Sequence, residues 1–225
     1  MKKSNNSVHI RKLTAVSVFC ALAYICVFLI RFKVSFLTFD LKDAIMAIGS
    51  MYFGPVAAIA MPAVVSLIEY LTISDTGVYG LIMNFLSSFS FCLVSSLIYR
   101  FRKSISGAVI ALVSAVAVMT GVMLVANIFI TPYYMHVPMA DVKALIPTLL
   151  FPFNLIKGIV NSSVVMILYK PFSSALKSSG ILASMEGTAK TPLKKTKRIL
   201  MLAVSAVILV VALLVLFFVL HATVE

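Results

Sequence analysis

Charge is what this chain has least of: 12% of its 225 residues are Asp, Glu, Lys or Arg, and only seven are acidic. A water-soluble globule of this length normally carries about twice that share, so the composition excludes a soluble domain. Cysteine is scarce too. Cys20, Cys26 and Cys92 lie in apolar segments at spacings that match no zinc or redox pattern, which leaves them as packing residues. The three histidines, His9, His136 and His221, are scattered and assemble no metal constellation. No Walker-type phosphate loop occurs and no internal repeat organises the chain, so it brings no ATPase of its own.

What is present is apolar. Hydrophobic residues make up 62% of the chain and its mean hydropathy is +1.11, the composition of an integral membrane protein. Runs of spanning length fall at 13–30, 78–98, 105–131, 146–169 and 199–220. The stretch 41–73 is too long for one helix across about 30 Å of hydrocarbon, and Gly54-Pro55 breaks it into two short spans, 41–53 and 55–72. The first run has no small-residue cleavage site after it, which points to an uncleaved helix instead of a signal peptide.

The formal charge of +12 suggests a nucleic-acid partner only until its distribution is considered. Lys and Arg cluster at the N-terminus, at 99–103 and at 170–198, flanking apolar runs, so the charge reports topology and no nucleic acid is expected. Each added crossing flips every later loop. Splitting 41–73 puts the loop at 99–103 and the linker on the same side as the basic N-terminus, which favours seven crossings with the N-terminus cytoplasmic and the C-terminus outside. The domains follow: a cytoplasmic tail 1–12, a six-span body 13–170, a basic cytoplasmic linker 171–197 and an additional transmembrane helix 198–221. The fold class is all-α, a six-helix membrane bundle plus one C-terminal helix.

Polar residues inside the apolar runs share one depth. Asp40 and Asp43 open the second span, Glu69 sits near the outer end of the third, and Asn84, Asn127, Asn154 and Lys157 lie in the outer parts of the fourth, fifth and sixth. Asn154 and Lys157 are three apart and share a helix face, which Asn161 extends inward. An intramembrane lysine costs roughly 2.5–3.5 kcal/mol and must be paired, wetted or used. Converging amides and a cation suit a solute pocket open to the outside, because an amide both donates and accepts along a polar heterocycle edge. The alternative is that Lys157 pairs with Glu69 or Asp43 and the asparagines tie helices together, with Asp40 and Asp43 as helix caps. Phe36, Phe39, Phe129, Tyr133, Tyr134, Phe151 and Phe153 either stack on a flat ligand or form an interfacial belt.

Four stretches in order, FDLKDAIMAIGSMYFGPVAAIA (39–60), GVYGLIMNF (77–85), ANIFITPYY (126–134) and PFNLIKG (152–158), resemble the riboflavin-type substrate-binding (S) component of energy-coupling factor (ECF) vitamin transporters over about 10–177. The resemblance implies a cell-membrane protein that captures riboflavin or FMN outside and releases it inside. It would act together with a transmembrane coupling protein and two cytoplasmic ATPases, performing no catalysis and needing no cofactor beyond the transported ligand. Asn127, Asn154 and Lys157 match the family's flavin-contacting positions. KVSFLTFD (33–40) corresponds to the segment closing over the ligand, which adds Leu37, Thr38 and Phe39, and Ser17-x-x-x-Ala21 approximates the small-residue pattern that packs on the coupling protein. The third span departs from the riboflavin type at Pro62, Val65 and Ser66, so another vitamin or precursor stays open as cargo. A reading of another class, an intramembrane enzyme acting on lipid, would require a nucleophile beside a base or a metal set.

Overall fold

In the computed structural model of the chain, residues 2–178 are described, with side chains from His9 onward except that of Lys177, together with 203, 205–211 and 214 of the last apolar run. Seven helices and one hairpin make up 2–178: α1 Lys2–Leu29, β1 Arg31–Val34, β2 Leu37–Asp40, α2 Lys42–Phe53, α3 Pro55–Thr72, α4 Gly77–Phe101, α5 Ile105–Met135, α6 Met139–Leu145 and α7 Phe151–Ser178. A π-helical turn, Ile146–Leu150, joins α6 to α7. Among the described residues, five helical stretches are long and apolar enough to cross a membrane: His9–Leu29, Pro55–Thr72, Gly77–Phe101, Ile105–Met135 and Met139–Leu176.

The break at Gly54-Pro55 forms as the sequence predicts. Gly54 has φ 91° and ψ −176°, a conformation almost confined to glycine, and Pro55 supplies the preset φ of a first helical position. The helix ahead of it, α2, is short. At 1.5 Å per residue α2 is about 18 Å long, well short of the hydrocarbon thickness. Every residue of α2 except Tyr52 is buried, and it packs against α1, α3, α4 and α7 as the bundle's central rod.

Small residues let the helices approach that rod. Ala44, Ala47, Ala57, Ala58, Ala108, Ala111 and Ala115 lie in one core cluster with Met46, Met61 and Met119, while Val56, Leu71 and Val113 turn outward, as lipid-facing side chains do. A Cβ on Gly158 would stand 2.9 Å from Met119 Cε, so the glycine allows α7 to lie close against α5. The inward face of α4 is a row of serines, of which Ser96 donates to the Ser50 carbonyl at 2.8 Å. At the bundle end near Arg100, Tyr99 and Tyr169 join their hydroxyls.

The sequence reading missed the hairpin, so the all-α description needs one exception. The register pairs Val34 with Leu37 across a two-residue turn in which Ser35 adopts φ 56°. The tip and β2 carry the buried side chains, Val34, Leu37, Phe39 and Asp40, whereas Arg31, Phe32 and Lys33 of β1 are exposed. Helix α7 also runs further than expected. Residues 171–178, assigned to the linker from composition, continue the helix despite Pro171. The rest of the linker, 179–197, lies outside the described residues, as does most of the additional helix 198–221; its residues 203, 205–211 and 214 are helical.

Candidate functional site

One end of the bundle holds a cavity that, its open mouth included, encloses about 660 Å³ of space unoccupied by protein atoms. Its walls come from five places: Phe36, Leu37 and Thr38 at the hairpin tip; Thr76 before α4; Tyr79, Gly80, Met83, Asn84 and Ser87 on α4; Met123, Asn127, Ile130, Thr131 and Tyr134 on α5; Phe153, Asn154 and Lys157 on α7. The chain directions of α4, α5 and α7 put the first turns of α4 and α7 and the last turns of α5 at the same end. The π turn lies immediately before Phe153 and Asn154, the kind of local distortion that often sits beside functional residues.

Six of the seven residues expected at a ligand site line this cavity: Leu37, Thr38, Asn84, Asn127, Asn154 and Lys157. Phe39 does not. It is 1% exposed, stacked on Phe32 at 4.9 Å and edge-on to Phe153 at 6.3 Å, and it belongs to the outer core cluster. Of the aromatics near the mouth, Phe36, Tyr134 and Phe153 face the cavity, whereas Phe129, Tyr133 and Phe151 are exposed in the manner of a belt. Tyr79, Met83, Met123 and Thr131 also line it, and were not anticipated: as apolar or hydroxyl residues in apolar runs they carry no polar signal in sequence.

The two amides on α5 and α7 are held by their own helices. Asn127 donates to the Met123 carbonyl at 2.7 Å and accepts from Thr131 at 2.9 Å; Asn154 donates to the Leu150 carbonyl at 2.8 Å. Each keeps a second N–H and acceptor capacity for a ligand. The amides are thereby oriented before any ligand arrives, which lowers the entropic cost of binding.

Beneath the cavity lies a buried charge network. Lys157 Nζ donates to Asp40 at 2.9 Å and to the Thr38 carbonyl at 3.4 Å, with Asp43 at 3.9 Å. Lys157 therefore does both things weighed for it: it borders the cavity and it is paired. Its main partner is Asp40, whereas the sequence pointed to Glu69 or Asp43. Glu69 instead receives Lys42 Nζ at 2.6 Å and Asn84 Nδ2 at 3.0 Å. Lys42, 1% exposed, was overlooked; the available signal was a lysine between two aspartates at the start of an apolar run. Asn161 completes the frame without reaching the cavity, accepting from the Ala44 amide at 2.9 Å and donating to the Asp40 carbonyl at 3.1 Å. The capping alternative for the aspartates has only a 3.3 Å contact from the Lys42 amide to Asp40, since the N-cap of α2 is Leu41. Three carboxylates and two ammonium groups so enclosed depend on one another, because a buried charge without a partner is costly.

Outside this layer the hairpin is fastened to the α3–α4 loop. Lys33 pairs with Asp75, and Arg31 donates to the Ile73 carbonyl at 2.8 Å. The hydrogen bond from Lys33 holds the exposed Asp75 carboxyl below its usual range. Pro62, Val65 and Ser66, the positions that depart from the riboflavin type, are buried in α3 and do not line the cavity. On α1, Ser17 and Ala21 are exposed on the outer surface, Ser17 donating back to the Leu13 carbonyl at 3.0 Å.

Comparison with known proteins bears on this arrangement. A match to the family described as ECF transporter, substrate-specific component, covers residues 11–169. The chain is 34% identical over 176 residues to the riboflavin transporter RibU of Staphylococcus aureus (strain TCH60), spanning 74% of this chain and 93% of that one. To the riboflavin transporter FmnP of Bacillus subtilis (strain 168) it is 29% identical over 188 residues, 76% of this chain and 98% of that one. A solved structure, that of the S component of a bacterial ECF transporter, superposes with a TM-score of 0.64 at 32% identity, covering 75% of this chain and 99% of that chain.

Proposed function

Because this chain belongs to the substrate-specific components of ECF transporters, we propose that it is a riboflavin-binding subunit of a vitamin uptake system, with Asn127, Asn154 and Lys157 as the polar anchors of the ligand. The family consists of transporter components, so the alternative of an enzyme acting on lipid falls away. Membership brings with it a small-molecule substrate, a multi-pass membrane setting and an ECF module as partner.

The observation that carries the riboflavin reading is the cavity's combination of walls and anchors. Two pre-oriented amides and an ammonium border a space otherwise walled by Phe36, Leu37, Tyr79, Met83, Met123 and Phe153, which suits a flat heterocycle with a polar edge. Flavins fit that description. Another vitamin as cargo draws its support from Pro62, Val65 and Ser66, and these do not border the cavity.

The finer organisation is likewise our reading. The cavity opens to the cell exterior, with the N-terminus cytoplasmic, the C-terminus outside and the segment 198–221 an added membrane helix; the distribution of Lys and Arg supports this. The partner module comprises a transmembrane coupling protein and two cytoplasmic ATPases, and the exposed Ser17–Ala21 face of α1 is where the coupling protein packs.

The test is an absorbance scan of the detergent-purified protein followed by titration with riboflavin, read by quenching of flavin fluorescence. A copurified flavin spectrum, or saturable one-to-one quenching, is the expected result. Protein that carries no flavin and quenches none overturns the riboflavin assignment.

A further inference from the structure

The last apolar run, 199–220, has Ser205 as its single polar residue, and nothing above gives the run any work. Lipid tails are as apolar as leucine and valine, so hydrophobicity does not choose which face of such a helix meets protein; a small residue and a close fit do.

Among the described residues of the run, that choice is visible. Ser205 is 6% exposed, and Leu209, one turn further on, is half-buried and packs against the outer core cluster. Val207, Ile208, Val210, Val211 and Leu214 are exposed, as lipid-facing side chains are. A helix free in lipid would bury no side chain, and one held only by another protein would show no buried face within this chain. The run is therefore seated on its own bundle by one stripe.

The cluster beneath Leu209 joins three parts of the outer layer: Val34, Leu37 and Phe39 of the hairpin, Leu149 and Leu150 of the π turn, and Phe153 at the start of α7. Leu37 and Phe153 also wall the main cavity, whereas Ser205 and Leu209 do not border it, so the run can act on a ligand only through this layer. An isolated two-stranded hairpin is marginal, which makes its packing decide how firmly Leu37 is held. The cluster contains no residue of α1, and Ser17 and Ala21 stay exposed, so the seat leaves open the face proposed for the coupling protein.

We propose that the last apolar run is an intramolecular brace: its Ser205–Leu209 face seats against the outer core cluster, holds the hairpin and the π turn in place, and slows ligand escape without touching the ligand. The seating stands on packing alone; the effect on escape rests on the riboflavin reading.

Two measurements on the full chain test it. First, photoreactive benzoylphenylalanine is placed at Leu209 or, as a control, at Val207, and the adducts are mapped by mass spectrometry in an equal mixture of isotope-labelled and unlabelled chains. The expected result is same-chain adducts within 34–41 or 142–160 from position 209 and none there from 207. Second, riboflavin release and hydrogen exchange of 34–41 and 146–150 are followed in wild type, Ser205→Phe, which forces a ring under the seat, and Val207→Phe, which points away from it. Release should quicken roughly fivefold or more in Ser205→Phe, with faster exchange in both segments, and stay as in wild type in Val207→Phe. If Ser205→Phe does not fold, Leu209→Ala, which removes the contact without adding bulk, carries the second test. Adducts found only between copies, or none from position 209 in those segments, overturn the seating. Same-chain adducts with release and exchange unchanged in the seat variants overturn the brace. Wild-type protein that binds no riboflavin overturns the riboflavin reading, and hydrogen exchange then decides whether the run braces the hairpin.

Discussion

Replacing Lys157 by methionine separates its two jobs. Its ammonium lies 2.9 Å from Asp40 and 3.9 Å from Asp43, and all three groups are buried. Without it, three carboxylates face Lys42 alone. Removing one partner of a buried ion pair costs roughly 3–5 kcal/mol, mostly because the other charge is left uncompensated. Lys157→Met should therefore melt well below wild type in detergent. Adding Asp40→Asn removes the stranded charge, and the double variant should regain a coupling energy of roughly 1–3 kcal/mol, the usual size for contacting residues. Ligand affinity should behave differently. If Lys157 donates to riboflavin, a charged hydrogen bond worth roughly 1.5–3 kcal/mol is lost in both backgrounds, which is about ten- to hundredfold in Kd. Melting curves and quenching titrations on the wild type and the three variants complete the cycle. A double variant that melts no higher than Lys157→Met refutes the ion-pair argument, and one that binds riboflavin like wild type refutes the anchor.

Gly54→Ala forces a Cβ onto a backbone at φ 91°, ψ −176°, and should cost roughly 1–3 kcal/mol in the thermal unfolding of the purified protein; an unchanged melting point would mean that the α2–α3 turn relaxes freely. Asn161→Leu strands the Ala44 amide and the Asp40 carbonyl, each unpaired group costing roughly 1–3 kcal/mol, and should lower both melting temperature and ligand affinity, although it does not border the cavity. The Lys33–Asp75 pair predicts a pH effect. Because the Asp75 pKa is lowered in the folded protein, the pair's contribution is present above the ordinary carboxylate value of 3.8 and fades as pH falls through the lowered one. Hydrogen exchange in residues 31–40 should accelerate on acidification below about 3.8, and Asp75→Asn should remove that acceleration.

Much of this protein was legible without coordinates. Hydropathy runs, the Gly54-Pro55 break and the placement of Lys and Arg are local or additive properties, so they announced a membrane bundle and its segments. The polar residues that converge, Asn84, Asn127, Asn154 and Lys157, could be found because an amide or ammonium inside hydrocarbon is conspicuous in any single segment. What depends on contact between distant segments was not legible. The hairpin strands of 31–40 are too short to separate from a loop, and no local property says that α2 is buried on nearly every side. Pairing is the clearest case. Charge types in a sequence say that Lys157 needs a carboxylate, but Asp40, Asp43 and Glu69 are equivalent until the helices are packed. The fold then gave Asp40 to Lys157 and Glu69 to Lys42, and two donors meet on one Glu69 oxygen while the other is buried without a partner. Partition into the bilayer is set residue by residue, so composition determined the segments; hydrogen bonds and ion pairs act over about 3 Å, so only the tertiary structure decided who meets whom.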